Sequence, residues 1–243
     1  GRYARALAIG EEGVRLLRDS GVPHFLSGME HVMASTYLRL GRPELAGRYL
    51  PEIAGCAPAL SRALRMAKRA VHAAALGEAA LSSFDAALVC FDGASAALPS
   101  MVRWRIVLDR APHARPEQTL EEARQCAEWA AGAEHLALER RARMTELQAL
   151  LALGSIEAAA DLAGRLQEAC APGWEASDFD RVELWTAVVQ AWDRVGRVRD
   201  AGRLAATGAA WIDRCARDEV PEAFVESYLR MHAAIRSRAK RGR

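Results

Sequence analysis

Arginine dominates the side chains that could do chemistry: the chain has 33 basic residues in 243, and only Lys68 and Lys240 are lysine. Arg62, Arg65, Lys68 and Arg69 put four cations on one helical stretch, and Arg230, Arg236, Arg238, Lys240, Arg241 and Arg243 put six near the C-terminus. Clusters of this kind can hold phosphate. No aromatic residues interleave them, and 31 acidic residues leave a net charge of only +2, so no global field directs the chain to nucleic acid. The clusters read as a charged helix face and a solvated tail. Glu11-Glu12 and Glu121-Glu122 are the candidate acid–base pairs. Both lie in polar-faced stretches with nothing to desolvate them, and both read as solvated.

Metal and thiol chemistry find little support. The six histidines (His24, His31, His72, His113, His135, His232) include no pair three or four residues apart, the spacing that two ligands on one helix face need. Cys56, Cys90, Cys126, Cys170 and Cys215 stand singly, and an odd count without a CxxC pair argues against a disulfide framework or a zinc site. They are expected to be reduced apolar fillers between helices, which implies a reducing, cytoplasmic compartment. Four of the six tryptophans flank or lie in helical stretches as inter-helix core, as does Trp211. Trp174 differs, because it follows Pro172-Gly173 and would be a contact residue if exposed. No GxxxxGK[ST], HExxH, GxSxG or EF-hand pattern occurs. The expectation is a chain that is not an enzyme and takes no cofactor and no metal.

The elements that would position these residues are helices. About a fifth of the chain is alanine, and no stretch alternates apolar and polar residues long enough for a strand. A short signature recurs: an aliphatic residue, a glycine, then alanine or serine five residues after the glycine. It reads Leu40-Gly41…Ala46, Leu76-Gly77…Ser82, Leu153-Gly154…Ala159 and Val195-Gly196…Ala201, with a truncated copy at Gly1-Arg2-Tyr3…Ala6. Spacings near 40 residues predict helical hairpins, each turning at its glycine. The predicted pairs are 24–40 with 43–54, 57–76 with 78–91, 134–153 with 155–170 and 178–195 with 197–217. Ser177 and Asp178 are the candidate caps after the break at Ala171-Pro172-Gly173. A middle pair, 100–111 with 117–131, lacks the turn glycine and uses Pro112 and Pro116. Pro221 opens a last helix, expected to run to Lys240 and to cap the array. The uncharged runs Gly93–Val102 and Leu147–Ile156 are too short to span a membrane, which needs about 20 apolar residues. The chain opens on glycine in mid-repeat without a methionine, and is read as a piece of a longer protein.

Around these turns the chain resembles the tetratricopeptide repeat (TPR). Ala34, Tyr37, Gly41 and Ala46 match that pattern, as do Val189, Trp192, Gly196 and Ala201, with Trp185 eleven residues before its glycine. Ala73 and Leu150 replace the aromatic in the other two copies, and the repeat is nearer 40 residues than the family's 34. Worn repeats of this length resemble those at the C-terminal end of large bacterial regulatory ATPases and signalling proteins. The resemblance implies an all-α, right-handed superhelical solenoid of about 12 helices: residues 1–20 as a truncated repeat, 24–218 as about five pairs, and 221–240 as the cap.

The resemblance also implies a concave groove, lined by the first helix of each pair at sites thirteen, ten, six and three before the turn glycine. These sites are Gly28, His31, Ser35 and Leu38; Leu64, Ala67, Val71 and Ala74; Arg141, Met144, Gln148 and Leu151; and Glu183, Thr186, Gln190 and Asp193. The implied function is a protein–protein interaction module of a bacterial regulator, holding a protein or peptide partner or a neighbouring domain of the same protein. The alternative is a sensor that binds a small effector or peptide inside the superhelix and regulates an attached ATPase or transcription domain.

Overall fold

A computed structural model of the chain describes residues 2–20, 23–50, 59–93, 100–167 and 181–241. Cys56, Cys170, Trp174, the 171–173 break and the caps Ser177 and Asp178 lie outside the described residues. All regular structure among the described residues is helical. The α-helices are α1 (Tyr3–Ser20), α2 (Pro23–Arg39), α3 (Pro43–Ala46), α4 (Ala59–Ala75), α5 (Leu81–Asp92), α6 (Ser100–Arg110), α7 (Pro116–Gly132), α8 (Leu136–Ala152), α9 (Ile156–Leu166), α10 (Arg181–Arg194), α11 (Val198–Asp218), α12 (Val225–Met231) and α13 (Ala233–Arg241). No described helix is long and apolar enough to cross a membrane.

All four signature glycines adopt the left-handed conformation, with φ of 70°, 81°, 73° and 78° at Gly41, Gly77, Gly154 and Gly196. Each turn closes with the same two backbone bonds. At the first, Gly41 N–H donates to Leu38 C=O at 3.0 Å and Arg42 N–H to Tyr37 C=O at 3.0 Å. This is the Schellman arrangement, which satisfies carbonyls that the helix end leaves open. A fifth turn of the same kind carries no glycine. Glu134 takes φ 57°, and His135 N–H donates to Ala130 C=O at 2.8 Å, joining α7 to α8. A side chain at that φ costs about 1 kcal/mol or more, so the glycine pattern alone passed over this turn.

The helices fall into two units: Gly1–Leu98 with Trp211–His232, and Pro99–Ala210 with Ala233–Arg243. In the first, α1 and α2 pack along each other, as do α4 and α5. The repeat pattern's inward residues are buried here: Ala34, Tyr37, Leu40 and Ala46 are all under 9% exposed. Three expectations need correction. The helix predicted over 43–54 stops early, as α3 plus a 3₁₀ turn at Gly47–Tyr49; Leu50 leaves helical geometry (φ −118°, ψ 73°) because Pro51 follows it. The α4–α5 turn is two residues longer than the others, so α5 begins at Leu81, Ser82 is exposed and Phe84 is the buried anchor. Phe25, which the three- and four-residue spacing of Phe25, Met29, Met33, Tyr37 and Leu40 puts on the inner stripe of the helix over 24–40, is 66% exposed.

The chain's end also folds onto its beginning within this unit. Ala4 N–H donates to Glu219 C=O at 2.8 Å, Tyr3 meets Tyr228 edge-on at 5.6 Å, and Tyr37 meets Phe224 at 5.9 Å. Ser227 Oγ donates to Leu40 C=O at 2.7 Å, beside the Gly41 turn. In an array whose repeats touch only their sequence neighbours, these contacts would be absent. The expected capping helix over 221–240 is therefore not one helix: a 3₁₀ turn at Glu222–Phe224 precedes α12, and α12 ends at His232 before α13 begins. No glycine or proline lies between Glu222 and Arg241. Packing decides the break, since Tyr228 and His232 are buried in the first unit and Ile235, Arg238 and Ala239 in the second.

In the second unit α8 is the central helix. It packs against α6, α7, α9 and α10, and Leu138, Ala142, Met144, Thr145, Glu146, Leu147, Ala149, Leu150 and Leu151 are all buried. Leu108, Cys126, Ala127, Ala130, Leu138 and Ala142 form one apolar cluster with Met101, Trp104 and Trp129 against it. Burial pushes the Cys126 thiol up to about 12, so it holds its proton at neutral pH and is a poor nucleophile. With iodoacetamide at pH 8 and peptide mapping by mass spectrometry, Cys126 is expected to stay unmodified in the native protein and to react fully in denaturant. Native labelling at a rate matching a free thiol would contradict its place in the core.

Candidate functional site

Several of the clustered cations and carboxylates have hydrogen-bond or ion-pair partners, some of them at the solvent-exposed surface. Lys68 Nζ donates to Ser35 Oγ at 2.9 Å, and Arg69 to Leu50 C=O at 3.5 Å. Glu11 accepts from the Tyr37 hydroxyl at 3.1 Å, and Glu12 pairs with Arg15 at 2.6 Å. Glu122 accepts from Gln118 and from the buried Arg110, and Glu121 from Gln125. Glu146, buried on α8, accepts from Arg124 at 3.0 Å and Arg143 at 2.9 Å. Both arginines keep part of their surface in water, so the pair of contacts satisfies the buried carboxylate without burying two further charges. No group of three or more His, Cys, Asp or Glu among the described residues could hold a metal ion.

The groove positions implied by the repeat register divide between the two units. His31, Ser35, Leu38, Leu64, Ala67, Val71 and Ala74 lie in the first, on α2 and α4. His31 is exposed; Ser35, Leu38, Leu64, Val71 and Ala74 are half-buried; Ala67 is buried at 3%. Ser35 joins the two helices, donating to the His31 carbonyl at 2.9 Å and accepting from Lys68. Ala67 is thus core rather than lining.

The second unit holds Arg141 and Gln148 on α8, and Thr186, Gln190 and Asp193 on α10. Arg141 is ion-paired to Asp109, and Thr186 donates to the Val182 carbonyl of its own helix at 2.7 Å. Gln148 and Gln190 are exposed. Met144, expected in the lining, is buried at 4%. The α8 and α10 ends converge on one cavity of about 360 Å³, lined by Leu151, Gln190, Asp193 and Arg194. Leu151 stands three residues before Gly154, while Gln190 and Asp193 stand six and three before Gly196. Equivalent positions of two successive hairpins therefore share a surface, because α9 returns the chain between α8 and α10 and packs on both.

Asp193 is also the anchor for α13. Arg238 donates from Nε and Nη2 to the two carboxylate oxygens of Asp193, each at 2.7 Å, and from Nη2 to the Val198 carbonyl at 3.1 Å. The parallel fork suits guanidinium and carboxylate geometry, and the carboxylate raises the Arg238 pKa further above its ordinary value. Below this clamp, Ile235 of α13 and Trp185 of α10 flank Gly208 of α11: a Cβ there would lie 2.7 Å from Ile235 Cδ1 and 3.2 Å from Trp185 Cε3. Sequence reasoning assigned Arg238 to a solvated tail and did not single out Arg194. Only the i, i+3, i+4 grouping of Ile235, Arg238 and Ala239 signals an inward stripe on α13. No family model matches the chain, and neither curated proteins nor solved structures show a significant match to it.

Proposed function

We propose that this chain is a non-catalytic, TPR-like helical-repeat module that binds a protein or peptide segment, as part of a larger bacterial regulatory protein acting in the cytoplasm. The observation that carries the reading is the cavity at Leu151, Gln190, Asp193 and Arg194. It joins positions of equal register in two hairpins, as the inner surface of a repeat array does. It mixes one apolar wall with an amide, a carboxylate and a guanidinium. Such a surface suits an extended or helical peptide that brings both apolar and charged groups. The five left-handed turns and the packing of α7 through α10 support a stacked series of hairpins; the solenoid form is part of this proposal, and the return of residues 219–228 onto α1 and the Gly41 turn is its departure from a strictly linear array.

Peptides selected from a random 12-residue display library against the whole chain test it. Binding in the micromolar range is expected, weakened at least tenfold by Gln190→Trp together with Arg194→Ala, both at exposed positions of the lining, while circular dichroism and Tm stay unchanged. Selected peptides that ignore both substitutions would sink the reading. A small metabolite that raises Tm where peptides do not would favour the sensor alternative instead.

A further inference from the structure

We propose that the Asp193 face of α10 is a receptor for an arginine-bearing amphipathic helix, and that α13 is this chain's own displaceable occupant of it. The inference deepens the groove reading above by naming the ligand: an apolar residue with arginine three and alanine four positions on, as in Ile235, Arg238 and Ala239. Charge complementarity identifies it. Asp193 takes both nitrogens of a planar fork and the Val198 carbonyl takes a further bond from it, a set that lysine cannot reproduce. Ile235 (2% exposed) and Ala239 (6%) supply the apolar stripe.

Three features make α13 a removable ligand. It has nine residues, and a helix that short does not persist alone in water, so it is helical because it is docked. Ala233, Ala234, Ser237, Lys240 and Arg241 are exposed, leaving a narrow stripe to hold it. It joins α12 through a non-helical residue, His232 (φ −100°, ψ 20°), where the segment passes from one unit to the other. The cavity shares Asp193 with the clamp and runs on to Leu151, so a longer partner helix gains contacts that α13 does not make.

The test uses the full chain and a labelled, end-capped peptide of sequence AAIRSRAKR, followed by fluorescence anisotropy. A tethered segment acts at an effective concentration of the order of millimolar. If α13 is docked about 99% of the time, the free site binds the peptide with a Kd of about 10 µM, and the wild-type chain with one about a hundredfold weaker. Arg238→Gln is expected to free the site and tighten peptide binding at least tenfold. The peptide with glutamine in place of its Arg238 counterpart is expected to fail. A folded Arg238→Gln chain with no gain in binding would overturn the proposal, as would loss of the fold in that variant. Independently, hydrogen exchange on the wild type is expected to show α13 amides exchanging at least a hundredfold faster than α10 amides. Equal protection would overturn it. Gln190→Trp and Arg194→Ala alter neither Arg238 nor Asp193, so a groove reading that fails the library test is distinguishable from a failure of helix release.

Discussion

Gly41→Ala is expected to cost about 3 kcal/mol of stability, against about 1 kcal/mol for Gly154→Ala. Both residues are left-handed, at φ 70° and 73°, so both substitutions carry the same backbone penalty of about 1 kcal/mol. Their surroundings differ. Nothing lies within 4 Å of a Cβ placed on Gly154, whereas a Cβ on Gly41 falls 2.9 Å from the main-chain oxygen of Ser227. Main chain cannot swing aside as a long side chain can. Relief of that contact must move α12, and with it the Ser227–Leu40 hydrogen bond and the edge contact of Phe224 with Tyr37. A lost hydrogen bond of this kind is worth about 1 kcal/mol, and the disturbed packing about as much again. Urea titration followed by far-ultraviolet circular dichroism measures both variants. Equal losses would mean that the C-terminal segment does not rest on the first turn.

Trp185→Ala is expected to be the most damaging single truncation in the second unit, at about 3–5 kcal/mol. Trp185 is 1% exposed, stacks under the Arg181 guanidinium at 5.7 Å, and flanks Gly208 together with Ile235. Removing the indole leaves a void that α10, α11 and α13 border, and α13 loses the wall behind its apolar anchor. The variant is therefore also expected to bind the α13 peptide poorly even when Arg238 is replaced. Val198→Ala, at a position 57% exposed, is the companion control and is expected to change stability by under about 0.5 kcal/mol. A Trp185→Ala loss below about 1 kcal/mol would contradict the packing described for this unit.

The turns show how far the sequence reads directly. Each signature glycine is followed by the residue whose N–H closes the turn, and all the donors and acceptors lie within six residues. Information that local suffices to place the hairpins. Glu134 marks the limit: it adopts the glycine conformation because α7 and α8 pack along each other and hold it there, and no residue type announces that. The lining of the candidate site was legible in the same partial way. Gln190 and Asp193 follow from counting back from Gly196, whereas Arg238, forty-five residues from Asp193, comes from outside any repeat register.

By itself, the sequence determined the helical class, four of the left-handed turns and, after Gly41, Gly154 and Gly196, the buried alanines Ala46, Ala159 and Ala201, because helix propensity, capping and i, i+3, i+4 periodicity act over one or two turns of chain. Tertiary structure alone decided that Met144 and Ala67 are core, that the segment after Pro221 breaks at His232, and that Arg238 reaches Asp193. Each of these depends on which helix lies opposite. An amphipathic stripe states that a face will be covered and leaves open by what, and side-chain packing between distant segments supplies the answer.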